Sequence, residues 1–197
     1  MKKILLALLA LSLTTLTFLH TSTQTAAAAE GDDTVIEAYR GYLAASSTRL
    51  PRTTSSALTV RIRQFSTAEE TAEISALLTK GRTGAVQSWL GEKELGTLQI
   101  GDALPEPIGA AWSYSDEQGR HLVVLAPRTV SIHEIFGNHL RTIYPYTVAQ
   151  IDFPENGQAS GEFNFATRLR VDRGGQVHYD PLTVLPVRIL GVRSLAG

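Results

Sequence analysis

The chain contains no cysteine. That excludes disulfides, Cys-ligated zinc, iron–sulfur clusters and thiol catalysis, and it removes the acylation point a lipoprotein needs. Stability must come from packing and hydrogen bonds. A membrane-spanning run is lacking too: the longest apolar stretch, Ile4 to Leu19, is broken by Ser12, Thr14, Thr15 and Thr17 and falls short of the ~20 residues a span requires. No G-x-S-x-G elbow, glycine-rich phosphate loop, H-E-x-x-H or EF-hand loop occurs, so the common sequence signatures of hydrolysis, nucleotide binding and metal binding are absent. Lysine is scarce. After Lys2 and Lys3 only Lys80 and Lys93 remain, against 14 arginines; arginine suits bidentate contacts to carboxylates and phosphates, although a genomic codon bias gives the same excess.

What is present begins with an address. Lys2 and Lys3, the apolar run and the small residues Ala26 to Ala29 follow one another in the order of a secretory signal peptide cleaved after Ala29. The expectation is an exported protein, periplasmic or secreted, with no membrane span in its mature chain. Cleavage leaves residues 30–197, enough for a single domain with 30–34 as a flexible start. The mature chain carries 16 basic and 19 acidic residues, a net charge of −3, which gives no reason to expect nucleic acid as a partner.

Val35–Ala45 fits both a helical stripe (Ile36, Tyr39, Leu43) and a strand. Leu58, Val60 and Ile62 then alternate with Thr59, Arg61 and Arg63 as a half-buried strand. Thr67-Ala68-Glu69-Glu70 has capping-box spacing ahead of Ile74, Leu77 and Leu78, with Gly81 as the stop. A second short helix is expected over Gly84–Leu90, and a loop over Gly101–Gly109. From Ala110 on the pattern is strand and turn. Ala110–Tyr114 and His121–Ala126 form a hairpin, and Thr147–Phe153 and Gly161–Val171 form another across Glu155-Asn156-Gly157. Val177–Tyr179 and Val187–Arg193 complete the set, and Ser131 caps a helical turn at Ile132–Phe136. Leu122-Val123-Val124-Leu125 is apolar on both faces and is expected to be covered on both sides, with the helices on one of them. In Gly161–Val171, Phe163, Phe165, Leu169 and Val171 are expected on the core face. The predicted fold is α+β: a mainly antiparallel sheet of about seven or eight strands with a short helix pair inserted after the second.

Chemistry-bearing residues are few. His133-Glu134 with His139 has a spacing of six rather than the four that puts two imidazoles on one helical face, so no metal and no cofactor is expected. Ser160 invites a nucleophile reading with His121 or His178 as base, and a polar turn residue explains it equally well. Asp152, Glu155 and Glu162 offer carboxylate pairs of the kind glycoside chemistry uses, and read first as exposed hairpin carboxylates. Arg61, Arg63, Arg168 and Arg170 would form an anion-attracting patch if they shared one sheet face. Trp112, Tyr114, Tyr144 and Tyr146 are pocket or core aromatics.

The segments Ala126–Glu134, Arg141–Tyr146, Gly157–Glu162 and Pro186–Arg193 resemble a group of small exported bacterial proteins to which no function is assigned. The resemblance implies one domain with a strand, a helix pair and an antiparallel sheet, and it favours strand for Val35–Ala45. It carries no activity, cofactor or catalytic residue. This chain departs from the group at Gln150, where the group has an acidic residue.

Three functional classes stay open: a non-catalytic ligand-binding or cell-envelope interaction module, a hydrolase of unfamiliar type, and a structural protein–protein interaction domain. The first is preferred, with Arg128, Arg141, Trp112 and Tyr144 as the residues expected to line a site, since arginines and aromatics bordering strand-end turns are where ligands are usually met. The expected partner is a small-molecule, polymeric or protein component of the envelope.

Overall fold

In the computed structural model, residues 35–45, 54–128, 145–172, 177–181 and 187–195 are described, and all of them belong to one compact unit, Asp33–Gly197. The fold is α+β and mainly antiparallel, as the sequence pattern predicts. β1 (Glu37–Ala45) settles the ambiguity of its segment in favour of strand: it pairs with β2 (Thr54–Ile62) along its whole length, burying Tyr39 and Leu43. The helix pair, α1 (Ala68–Thr79) and α2 (Thr83–Gly91), follows β2. The capping box is present, Glu70 N–H donating to Thr67 Oγ1 at 3.2 Å and Thr67 N–H to Glu70 Oε2 at 3.0 Å. At the far end Gly81 takes φ +65°, and the amides of Gly81 and Arg82 donate back to Leu78 and Leu77, which closes the helix.

Two strands lie where the sequence pattern predicts none. β3 (Gly96–Ile100) is marked only by Leu98 and Ile100, and β4 (Glu106–Pro107) sits inside the expected loop, too short to show any period. β5 (Ala110–Asp116), β6 (Gly119–Ala126), β7 (Tyr146–Phe153), β8 (Ser160–Val171), β9 (Val177–Pro181) and β10 (Val187–Ser194) fall on the expected segments. The expected helical turn at Ser131–Phe136 lies outside the described residues.

The strand order is β4-β3-β2-β1-β10-β8-β7-β6-β5, every pair antiparallel, with β9 added to the C-terminal half of β8. The two ends of this path, β4 and β5, are separated by only Ile108 and Gly109. Laid flat at ~4.8 Å per strand, those ends would lie tens of ångströms apart. The sheet therefore closes on itself. Ile108 exchanges backbone bonds with Leu95 and Gly96 beside β3, while the next amide, Gly109, donates to Leu125 of β6. With β4 and β5 as one bent stave, this is an eight-stave up-and-down barrel, a size at which inward side chains just fill the interior.

Inward residues from every stave form one core, including Leu43, Leu58, Leu98, Ile108, Leu122, Ile151, Phe163 and Ile189. A second core lies outside the barrel, where α1 and α2 cover one sector of its wall. There Ile74, Val86 and Leu90 meet Val123, Leu125, Tyr146, Val148 and Leu169. The doubly apolar run 122–125 is explained: Leu122 and Val124 point into the barrel, Val123 and Leu125 to the helices.

One expectation is corrected. Leu169 does not share a face with Phe163 and Phe165. The ladder between β7 and β8 shifts, with Val148 opposite Asn164 but Tyr146 opposite Thr167, so an extra residue on β8 reverses its alternation. Phe163 and Phe165 fill the barrel, and Leu169 joins the outer core. No helix among the described residues is long and apolar enough to cross a membrane.

Candidate functional site

Because the helices cover only part of the outer wall, a cleft of about 700 Å³ remains beside α1, between it and β9. Its floor is Val123, Leu125, Val148 and Leu169, and its walls carry Trp112, Tyr114, Val177 and Tyr179. Thr71, Ser113, Gln150 and His178 supply the polar lining. This is the composition of a small-molecule pocket: apolar and aromatic, with a few placed polar groups.

Strand register sets the site's floor plan. Trp112, Val123, Gln150 and Glu162 are successive cross-strand partners on β5, β6, β7 and β8, and the next row is Tyr114, His121, Asp152 and Ser160. A hydrogen-bonded chain links the two rows. The Tyr179 hydroxyl donates to Gln150 Oε1, Gln150 Nε2 donates to Asp152 Oδ1 at 2.7 Å, and His121 Nδ1 donates to the same oxygen at 2.7 Å. His121 Nε2 donates to Asp116 Oδ1 at 3.0 Å. Carboxylates only accept, so the amide of Gln150 has its nitrogen toward Asp152, and the protonated imidazolium is the form of His121 that donates to both carboxylates. His121 is 6% exposed, and the Tyr114 ring stacks on it at 4.8 Å.

The electrostatics follow from that clamp. The bonds to Asp152 and then Asp116 hold the His121 pKa above its ordinary value, and the His121 bond in turn lowers that of Asp116. Tyr179 is pushed up to about 12, first by burial and then by the negative charge of Glu162 and by Tyr114 and Asp152. Tyr114 is raised as well, by burial and then by Asp152 and Asp116. Across the cleft, Trp112 Nε1 donates to Thr71 Oγ1 at 2.9 Å, and that hydroxyl donates to the Thr67 carbonyl at 2.9 Å. The indole thereby fixes the distance between α1 and β5.

Of the residues expected to line a site, Trp112 does so. Arg128 is away from the cleft lining, in an ion pair with Glu106 of β4. Arg141 and Tyr144 lie outside the described residues, as do His133 and His139. Tyr146 is outer core: its hydroxyl donates to the Thr83 carbonyl at 2.9 Å, and burial pushes its pKa up to about 12. The four arginines do not form one patch. Arg61 and Arg63 belong to the β2 end of the path and Arg168 and Arg170 to β8, with β1 and β10 between them; Arg63 pairs with Glu94 and Arg170 with Asp180.

Ser160, Asp152 and His121 do share a row, but in an order that defeats nucleophilic catalysis. The carboxylate stands between serine and histidine, and both imidazole nitrogens face carboxylates rather than the hydroxyl. Sequence reasoning missed the His121 clamp, Gln150 and Tyr179 as one unit. The available signal was parity: 114, 121, 150, 152 and 179 are the outward positions of their strands once 122 and 124 are taken as inward. No protein family, curated protein or solved structure matches this chain.

Proposed function

We propose that the protein is an exported, non-catalytic binding module that holds a small ligand in the outer cleft between α1 and β9. The observation that carries this reading is the cleft itself: about 700 Å³, walled by Trp112, Tyr114 and Tyr179 over an aliphatic floor, on a rigid closed sheet. The exported location rests on the signal-like order of residues 1–29 and on the resemblance to small exported bacterial proteins.

A thermal-shift screen against envelope sugars, lipids, acidic metabolites, amines and divalent metals tests the binding reading, since a ligand that binds only the native state raises the unfolding midpoint. The expected result is a saturable shift from one class of small molecule that Trp112→Ala abolishes while the variant still melts cooperatively. A shift from zinc alone, or one that survives Trp112→Ala, contradicts the reading. Export is tested by N-terminal sequencing of protein recovered from outside the cytoplasm, expected to start at Glu30.

The hydrolase alternative has one observation in its favour, a buried histidine within hydrogen-bond reach of carboxylates. Its weakness is that both nitrogens are tied, which leaves none to serve as a general base.

A further inference from the structure

Resting on the binding reading above, we propose that the cleft selects a cationic ligand: an ammonium group on an aromatic or otherwise apolar body. The argument begins with where the polar protons point. The Trp112 N–H is spent on Thr71, the Thr71 hydroxyl on Thr67, the Tyr179 hydroxyl on Gln150, and a Gln150 N–H on Asp152. An oxygen carries two lone pairs, so Gln150 Oε1 and the Tyr179 oxygen keep accepting capacity toward a ligand after these bonds are made. Those two oxygens therefore offer acceptors to a donor on the ligand, beside the second Gln150 N–H and the Ser113 and His178 side chains of the lining.

Charge points the same way. No lysine or arginine is among the described residues that line the cleft. Three carboxylates stand beside it on the outer rows, Asp116, Asp152 and Glu162, and their charge acts on the Tyr114 and Tyr179 hydroxyls. Of the basic groups nearby, His178 is bonded to Asp172 and Arg120 is paired with Glu37, which leaves two that oppose these three carboxylates. His121 neutralises one carboxylate's worth of the Asp116–Asp152 pair, and Arg188 is the register partner of Glu162 one strand farther from the cleft. The balance at the cleft stays negative. Three aromatic rings complete the picture, because a ring face attracts a cation within ~6 Å of its centroid, most strongly where water is excluded. An anion would meet carboxylates and ring faces, and a neutral ligand would gain only the apolar floor.

Three compounds with one aromatic body and three charges test this: 2-naphthylmethylammonium, 2-naphthylmethanol and 2-naphthoate, titrated calorimetrically into the full protein near neutral pH. The expected order is ammonium tightest, by roughly tenfold over the alcohol, with naphthoate weakest. Raising the salt concentration should narrow the gap between the two ions. Glu162→Gln, a change at an exposed side chain outside the hydrogen-bonded chain, should weaken the ammonium several-fold and leave the alcohol unchanged. Tyr114→Arg, at the half-exposed lip, should invert the preference in favour of naphthoate. If the alcohol or naphthoate binds as tightly as the ammonium, or Glu162→Gln leaves the ammonium unchanged, the charge assignment is overturned and the cleft stands. If none of the three binds at millimolar concentration, the binding reading fails with it.

Discussion

His121 shows how one residue ties the sheet to the cleft. Held between Asp152 and Asp116, it keeps Tyr114 stacked at the lip and, through Asp152, orients Gln150. Its pKa is raised above the ordinary 6.5, so its stabilisation is fully present below about pH 6.5 and is lost as pH rises through the higher folded value. Asp116 behaves oppositely: its pKa is lowered from 3.8, so its contribution is present above that pH and is lost as acid titrates it. The pair is therefore most stabilising between about pH 4 and pH 6.5. The thermal midpoint should fall as the pH is raised from about 6 to about 9, and His121→Gln should flatten that fall. A wild-type midpoint that stays level over this range would contradict the clamp. A different constraint acts at Gly161, where a Cβ would sit 1.9 Å from the Gln150 carbonyl oxygen. Gly161→Ala should destabilise by about 1–3 kcal/mol through strand displacement, read from the denaturant midpoint, and should weaken ligand binding because the displaced strand carries Gln150.

At the scale of elements, α1 is the helical wall of the cleft. Its N-terminus is fixed by the Thr67–Glu70 box and by the Glu70–Lys93 ion pair at 2.9 Å, and its Thr71 holds Trp112. Thr67→Ala should cost about 1 kcal/mol of stability and also loosen the ligand, since Thr67 and Thr71 are one turn apart. A stability loss with unchanged affinity would show that the wall does not depend on the cap. These helix ends were legible in the sequence because capping is a local code, written in Thr67, Glu70 and Gly81. β4 was not, because two residues cannot display a period, and β3 offers only Leu98 and Ile100 between two glycines as its signal. The bulge in β8 was also illegible: nothing in Asn164-Phe165-Ala166-Thr167 announces a ladder shift that only the pairing with β7 creates.

For the molecule as a whole, the sequence revealed the class and concealed the closure. Alternation, hairpin turns and the doubly apolar 122–125 run sufficed for an antiparallel sheet with helices on one side. Closure depends on β1 meeting β10 and on Ile108-Gly109 bridging the ends of the path, contacts far apart in the chain that leave no local mark. Closure matters for function, because it pairs the described staves with one another and leaves β9, bonded only to β8, to border the cleft beside α1. The candidate site was legible through Trp112 and Tyr114, both read as pocket or core aromatics. The remaining members come from five strands and one helix, and a sequence does not say which of its rows lie side by side.

The central claim, that the cleft on the outer wall is where this protein binds, is tested most directly by following backbone and side-chain amide resonances of isotope-labelled protein while 2-naphthylmethylammonium is added. The account predicts saturable shifts at the Trp112 indole N–H, the Gln150 side-chain amide and the backbone of Val123, Val148 and Tyr179. Saturable shifts centred instead on the exposed Tyr42–Leu190 pair of β1 and β10, with the cleft resonances still, would contradict it.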